Sequence, residues 1–159
     1  MNRRLTWSSK TAVATSDQPM PVIDASVVVD WVAPGADPGS TAMAALAVLA
    51  ERGDSILAPR LLFQEVANAL LTGVRRQRWS GVLADSAYRR LLRLPVRLVD
   101  SQLDLERAWE LARRFDNHPI YDMVYVALAE RMSTDLITQD TTLRRRLGEP
   151  GWVVGPADI

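Results

Sequence analysis

Residues Met20–Trp31 read MPVIDASVVVDW. A short β-branched run, Val22–Ile23, runs straight into Asp24-Ala25-Ser26, a trio that starts helices, and Val27–Val32 stays apolar up to a break at Pro34-Gly35. This is a strand handing over directly to a helix. The same handover recurs along the chain. Thr41–Arg52, rich in Ala and Leu, predicts a helix closed by Gly53, and Ser55–Ala58 predicts a short buried strand stopped by Pro59. Arg60–Arg76 predicts a long helix with Leu61, Leu62, Val66, Ala69, Leu70 and Val74 at helical spacing, and Gly81–Leu92 predicts another. Val96–Val99 predicts a strand, Gln102–Arg114 an amphipathic helix, and Tyr121–Met132 a helix after Pro119. Leu136–Thr138 predicts a strand, Thr141–Leu147 a short helix and Trp152–Val154 a closing strand. Strands alternating with helices of this length predict βαβ units, hence an α/β fold with a mainly parallel sheet covered on both faces.

The 159 residues suit one domain. Residues 1–19 are polar, rich in Ser and Thr and without hydrophobic period; they read as a leader or disordered arm, with Met20 well placed as a native start, so residues 20–159 form the expected domain. Lys+Arg and Asp+Glu are 19 each, which leaves no global positive field; a nucleic-acid partner must be held by a local patch. With no cysteine, disulfide scaffolds, zinc–thiolate sites, iron–sulfur clusters and thiol nucleophiles are excluded together. His118 is the only histidine, so neither a two-histidine ribonuclease mechanism nor a His-rich metal site is possible. No apolar run approaches the ~18 residues of a membrane span, and the expected location is the cytoplasm.

In a parallel sheet, ligands bind beyond the carboxyl ends of the strands. Asp24 follows the first strand and Asp140 follows Leu136–Thr138, both at such ends. Each also reads as an ordinary N-cap. Glu65 lies within Arg60–Arg76 beside the apolar stripe, where a carboxylate is expensive to desolvate unless it meets a cation or donors. Its alternative is an edge position facing solvent or an arginine, and Asn68, one turn on, lies where it can orient the acid. Asp122 opens the helix after Pro119, favourable for the helix dipole, but Tyr125, Val126 and Ala129 put it beside the packed face. Taken together, four carboxylates converging on one sheet edge repel strongly unless a cation neutralises them. An all-oxygen donor set selects a hard ion, Mg²⁺ or Mn²⁺, that keeps several waters. The chemistry such an ion supports is phosphodiester hydrolysis.

Four segments, Met20–Trp31 (MPVIDASVVVDW), Gln64–Leu70 (QEVANAL), Tyr121–Ala129 (YDMVYVALA) and Leu136–Leu143 (LITQDTTL), resemble the four acidic motifs of PIN domains. In order and spacing they are most similar to ribonuclease toxins of the VapC type, from bacterial toxin–antitoxin pairs. The resemblance covers about residues 20–155. It implies a PIN-like three-layer α/β/α sandwich, with Asp24, Glu65, Asp122 and Asp140 as the metal-binding acids. Asp24 and Asp140 would be direct ligands, with Glu65 and Asp122 acting partly through water. It places supporting hydroxyls at Ser26 and Thr138. It further implies a homodimer, cleavage of structured RNA such as tRNA or rRNA, and a cognate antitoxin whose C-terminal segment blocks the site. Residues 1–19 have no counterpart in the family pattern, and Asp30 stands where a basic or neutral residue is common.

Arg75, Arg76, Arg78, Arg89, Arg90, Arg93 and Arg97 read as surface residues near helix ends, able as a cluster to grip phosphates. Arg144 and Arg145, just after Asp140, are candidates to approach RNA. Asp116 and His118 read as loop residues around the turn Asn117-His118-Pro119. Trp31, Trp109 and Trp152 read as core or interface packing, and the Val66–Val74 face and the Thr41–Arg52 helix as core or as a dimer or antitoxin contact. Receiver domains and haloacid-type phosphatases also gather aspartates at strand ends, but both normally use a lysine near the phosphate, and Lys10 is the only lysine. The expected activity is a Mg²⁺- or Mn²⁺-dependent endoribonuclease acting as a toxin. Its alternatives are a structure-specific DNA nuclease on the same scaffold and a non-catalytic RNA- or protein-binding module.

Overall fold

The computed structural model describes residues 20–148 and 150–159, so the expected leader, 1–19, lies outside the described residues. The first strand, β1 (Val22–Ile23), is two residues long with both side chains fully buried, and Asp24 links it to α1 (Ala25–Val32). Next come α2 (Thr41–Arg52), β2 (Ile56–Ala58), α3 (Leu61–Arg75), α4 (Gly81–Leu91) and β3 (Val96–Leu98). The second half runs α5 (Gln102–Arg114), α6 (Ile120–Met132), β4 (Leu136–Ile137), α7 (Thr141–Arg146), β5 (Val153–Val154) and a closing 3-10 turn at Pro156–Asp158.

The strands form one sheet in the order β3-β2-β1-β4-β5, and every neighbouring pair is parallel. The central register sets Val22 against Leu57 on one side and Leu136 on the other. Chain order runs outward from β1 to β3, then resumes on the other side of β1 with β4 and β5, so the direction reverses between β1 and β4. Such a reversal opens a crevice beyond the carboxyl ends of the two strands. Right-handed crossovers put α1–α4 on one face and α5–α7 on the other. The contacts agree: α1 packs on α2, α3 and α4, while α5 packs along α6. The result is the expected three-layer α/β/α sandwich, with a sheet that is parallel throughout.

The core is continuous across the sheet. Ile23, Leu57, Leu62, Leu91, Met123, Tyr125, Leu128 and Ile137 are at most 1% exposed, and each large apolar side chain buried this way contributes about 1.5–3 kcal/mol. Trp31 is buried and donates its indole N–H to the Ala42 carbonyl at 2.6 Å, tying α1 to α2. Val66 and the Ala42, Ala45 and Leu49 face of α2 are buried within the chain, which settles that part of their reading as core. Trp109 departs from the core reading: it is 62% exposed. Serine caps start three helices, Ser40, Ser80 and Ser101 accepting from Met43, Leu83 and Leu103 N–H. The α5–α6 hairpin is antiparallel, and a half-buried ion pair joins the buried Asp104 to Arg131 at its open end (Nε to Oδ1, 2.6 Å). No helix among the described residues is long and apolar enough to cross a membrane.

Candidate functional site

Asp24 stands at the N-cap position of α1, yet its side chain makes no capping hydrogen bond. Oδ2 accepts instead from Ser26 Oγ (2.5 Å) and from Thr138 Oγ1 (2.8 Å), the latter reaching across from the end of β4. The capping reading of Asp24 is therefore overturned, because two hydroxyls compete successfully for the same oxygen. The backbone adds to this, with Asp24 N–H donating to the Ile137 carbonyl at 3.0 Å. Asp140 behaves in the opposite way: its Oδ1 accepts from Leu143 N–H at 2.8 Å and caps α7. Its own N–H donates to Thr138 Oγ1 at 3.0 Å. The fully buried Thr138 hydroxyl thus donates to one acid and accepts from the backbone of the other.

Two further acids approach from the helical layers. Glu65, in the middle of α3, accepts from the Tyr125 hydroxyl on Oε2 at 2.5 Å. Asp122, in the first turn of α6, meets His118 Nε2 through Oδ2 at 2.8 Å. The expected helper for Glu65, Asn68, is exposed and has no side-chain bond to it among the described residues; its carbonyl accepts from Thr72 Oγ1 instead. Asp30, whose role the sequence leaves open, accepts from Gln139 Nε2 at 2.7 Å, and Gln139 N–H donates to Ser26 Oγ at 3.2 Å. The loop after β4 is thereby fastened to α1.

The electrostatics bind three of the acids into one unit. Burial raises the Asp24 carboxyl above its ordinary value against the pull of the Ser26 and Thr138 hydrogen bonds, and the charge of Asp122 raises it further. Burial likewise raises Glu65 against the Tyr125 hydrogen bond, with the charges of Asp24 and Asp122 adding to the shift. Burial, then the charge and hydrogen bond of Glu65, push the Tyr125 phenol far above its usual range, so it remains a neutral donor. None of the four acids pairs with an arginine among the described residues; the arginine ion pairs join Arg60 to Asp100, Arg107 to Glu110 and Glu130, Arg131 to Asp104 and Arg144 to Asp158.

Negative charge is therefore gathered at the crevice and held by hydroxyls, backbone N–H groups and one imidazole, with no arginine among its partners in the described residues. Among the described residues no group of three or more Asp, Glu or His side chains closes into a ready-made metal cage. The donor set nonetheless fits a hard cation that enters with waters of its own, since Mg²⁺ is held by one or two carboxylates more often than by an all-protein shell. Of the two arginine candidates, Arg144 is engaged with Asp158 (Nη2 to Oδ2, 3.3 Å) and packs against Gly155, while Arg145 is exposed.

Sequence reasoning took Tyr125 as packing and His118 as a loop residue, and so missed both as partners of the acids. His118 does sit in the turn before α6, but it is only 8% exposed. The spacing from His118 to Asp122, one helical turn, is the signal that was available. Asp116 is exposed at a positive φ of 60°, as its turn reading expects. Compared with known protein families, residues 22–147 match the PIN domain. PIN domains are generally metal-dependent nucleases and typically bind divalent metals. A comparison with curated proteins returned no match.

Proposed function

The chain belongs to the PIN domain family, and on that premise we propose that it is a Mg²⁺- or Mn²⁺-dependent endoribonuclease toxin of the VapC type, cutting structured RNA such as tRNA or rRNA. The observation that carries the metal-dependent part is the group Asp24, Glu65 and Asp122: the charge of Asp122 raises both Asp24 and Glu65, that of Asp24 raises Glu65, and among the described residues no arginine pairs with any of them. A protein that spends core hydrogen bonds on keeping such a group in place holds it for a cation from outside.

In this reading Asp24 and Asp140 hold the cation directly, and Glu65 and Asp122 act partly through water. When bound, the ion activates water and stabilises charge on the phosphoryl group. Ser26 and Thr138 fix the Asp24 carboxylate through one oxygen, and Tyr125 does the same for Glu65. Each acid so fixed orients the attacking water with little rotational freedom left to lose. Asp140 shares its carboxylate between this role and the cap of α7, where Oδ1 already accepts from Leu143. Arg145 is the cation placed to meet RNA phosphate, being exposed one turn beyond the site.

Apolar surface supports the homodimer and antitoxin parts of the proposal. A groove of about 1220 Å³ between α5 and α6 is lined by Leu61, Leu105, Trp109, Tyr121 and Val124. Leu71 on α3, Val82, Leu83 and Tyr88 on α4 and Leu92 at its C-cap are large apolar side chains left exposed as well. Exposed apolar patches of this kind mark protein contacts. The proposed location is the cytoplasm, where such RNA is found.

The test is cleavage of purified total tRNA and rRNA with added Mn²⁺ or Mg²⁺, wild type beside Asp24→Asn, with EDTA as control. Discrete fragments from wild type, absent with EDTA and reduced at least 100-fold in the folded variant, are expected. Cleavage of branched or flapped DNA in place of RNA would move the assignment to a structure-specific DNA nuclease. Cleavage of neither by folded protein would overturn the nuclease reading.

A further inference from the structure

His118 closes the turn before α6 under tight constraint. Asp116 and Asn117 both take left-handed backbone angles, φ 60° and 57°. Arg113 Nη1 donates to Asn117 Oδ1 at 2.6 Å, and His118 N–H returns to the Ala112 carbonyl at 3.2 Å. Two successive non-glycine residues in that region are costly to hold, and together with these two bonds they fix the path by which the imidazole enters the structure. The ring lies buried with Nε2 at 2.8 Å from Asp122 Oδ2. Its other nitrogen, Nδ1, is buried and has no hydrogen-bond partner among the described residues.

An imidazole nitrogen that meets a carboxylate oxygen must carry the proton, so Nε2–H is the donor to Asp122, and Nδ1 takes no part in that contact. A buried polar nitrogen with no partner costs free energy, and a ring present for packing alone would be better served by an apolar side chain of the same size. Among the described residues Asp122 Oδ1 receives no protein hydrogen bond, so the contact engages one carboxylate oxygen and leaves the other open. We propose that His118 is a positioning residue: it pins Asp122 through Oδ2 so that Oδ1 is the oxygen offered to the divalent cation. The inference rests on the metal-dependent reading of the site. It gives Asp122 the kind of fixation that Ser26 and Thr138 give Asp24 and Tyr125 gives Glu65.

The experiment is Mn²⁺ titration by calorimetry, without RNA, on the full chain and its variants. His118→Leu keeps volume and removes the donor; it binds Mn²⁺ about tenfold more weakly, the scale of losing a partner that orients a metal ligand. His118→Gln, which carries an N–H to a similar reach, restores most of the affinity. In an Asp122→Asn background His118→Leu has no further effect, because the side chain it positioned no longer carries the charge. Wild-type affinity in folded His118→Leu overturns the inference, as does an equal loss in the Asp122→Asn background, which is what a merely structural role gives. If the leucine variant does not fold, His118→Gln is set against His118→Asn, which is one methylene shorter: weaker binding by Asn supports the inference and equal binding overturns it. No Mn²⁺ binding by the wild-type chain overturns the metal-dependent reading itself, and the role of His118 with it.

Discussion

Asp24 and Asp140 hold equivalent places in the sequence, one following β1 and one just beyond β4, yet only Asp140 caps the helix it precedes. The difference is Thr138, whose single hydroxyl serves both. Thr138→Val removes the donor to Asp24 and the acceptor for Asp140 N–H together. An unmet buried polar group costs about 1–3 kcal/mol, so thermal denaturation of this variant is expected to show a loss of that size, with nuclease activity falling as well. Tyr125→Phe separates the two effects. It deletes one hydroxyl, 60 residues from its partner, and leaves the ring in the core. We expect stability within about 1 kcal/mol of wild type and roughly tenfold weaker metal-dependent cleavage, measured at saturating and at limiting Mn²⁺. The acids themselves were legible in the sequence because a carboxylate at a strand end or beside an apolar stripe is conspicuous. Their donors were not, since Tyr125 looks like any aromatic on a packed face until the topology brings α3 and α6 together.

At the scale of elements, hydrophobic period recovered every strand and α-helix of the described residues, with ends displaced by one or two residues where caps and sheet pairing decide them, and it missed the closing 3-10 helix at Pro156–Asp158. Gln102–Arg114 is identical in the expectation and in the structure, because Ser101 and the turn at Asp116 punctuate it on both sides. The exposure of Trp109 was not legible, for an amphipathic pattern says which face is apolar and not how far the neighbouring layer extends to cover it. Two predictions belong here. Gly73 lies in the last turns of α3 beneath Trp79, where an added Cβ would overlap the indole ring. Alanine gains about 1 kcal/mol of helix propensity over glycine, but overpacking costs about 1–3 kcal/mol and Trp79 would also lose its N–H bond to the Leu70 carbonyl. Gly73→Ala is therefore expected to be net destabilising in urea unfolding. In the α5–α6 hairpin, Arg131→Met strands the buried Asp104 carboxylate, whereas Asp104→Leu leaves an arginine that is one-third exposed and can find water. The arginine variant is expected to lose about 2–3 kcal/mol and the aspartate variant distinctly less.

The molecule as a whole carries its charged crevice at a cost to its own stability. Asp24 and Glu65 have folded-state pKa values raised above 3.8 and 4.5. Their contribution is fully present below those unfolded values and is lost as pH rises through the raised ones. Asp100 and Glu130 shift the other way, through Arg60 and Arg107, and weaken the fold only when pH falls below their ordinary range. The metal-free protein is therefore expected to gain thermal stability as pH is lowered from neutral toward the ordinary carboxylate range. Asp24→Asn, metal-free at neutral pH, is expected to melt higher than wild type by about 2–4 °C, the shift that 1 kcal/mol gives in a chain of this size. A melting temperature for Asp24→Asn at or below that of wild type in EDTA would mean that the buried charge is not a burden.

The bond from Thr138 to Asp24 joins residues 114 positions apart, and this separation has a meaning in time. A ribosome adding about 5–20 residues per second releases the first acid of the site several seconds, and at the slower rates more than twenty, before the hydroxyl that fixes it. Through that interval β1 lacks β4, the crevice has only one wall, and Asp122 and Asp140 have not all been made. The acid made first thus waits for its partner hydroxyl, and the four carboxylates come together only once the segment carrying β4 and Asp140 has been added.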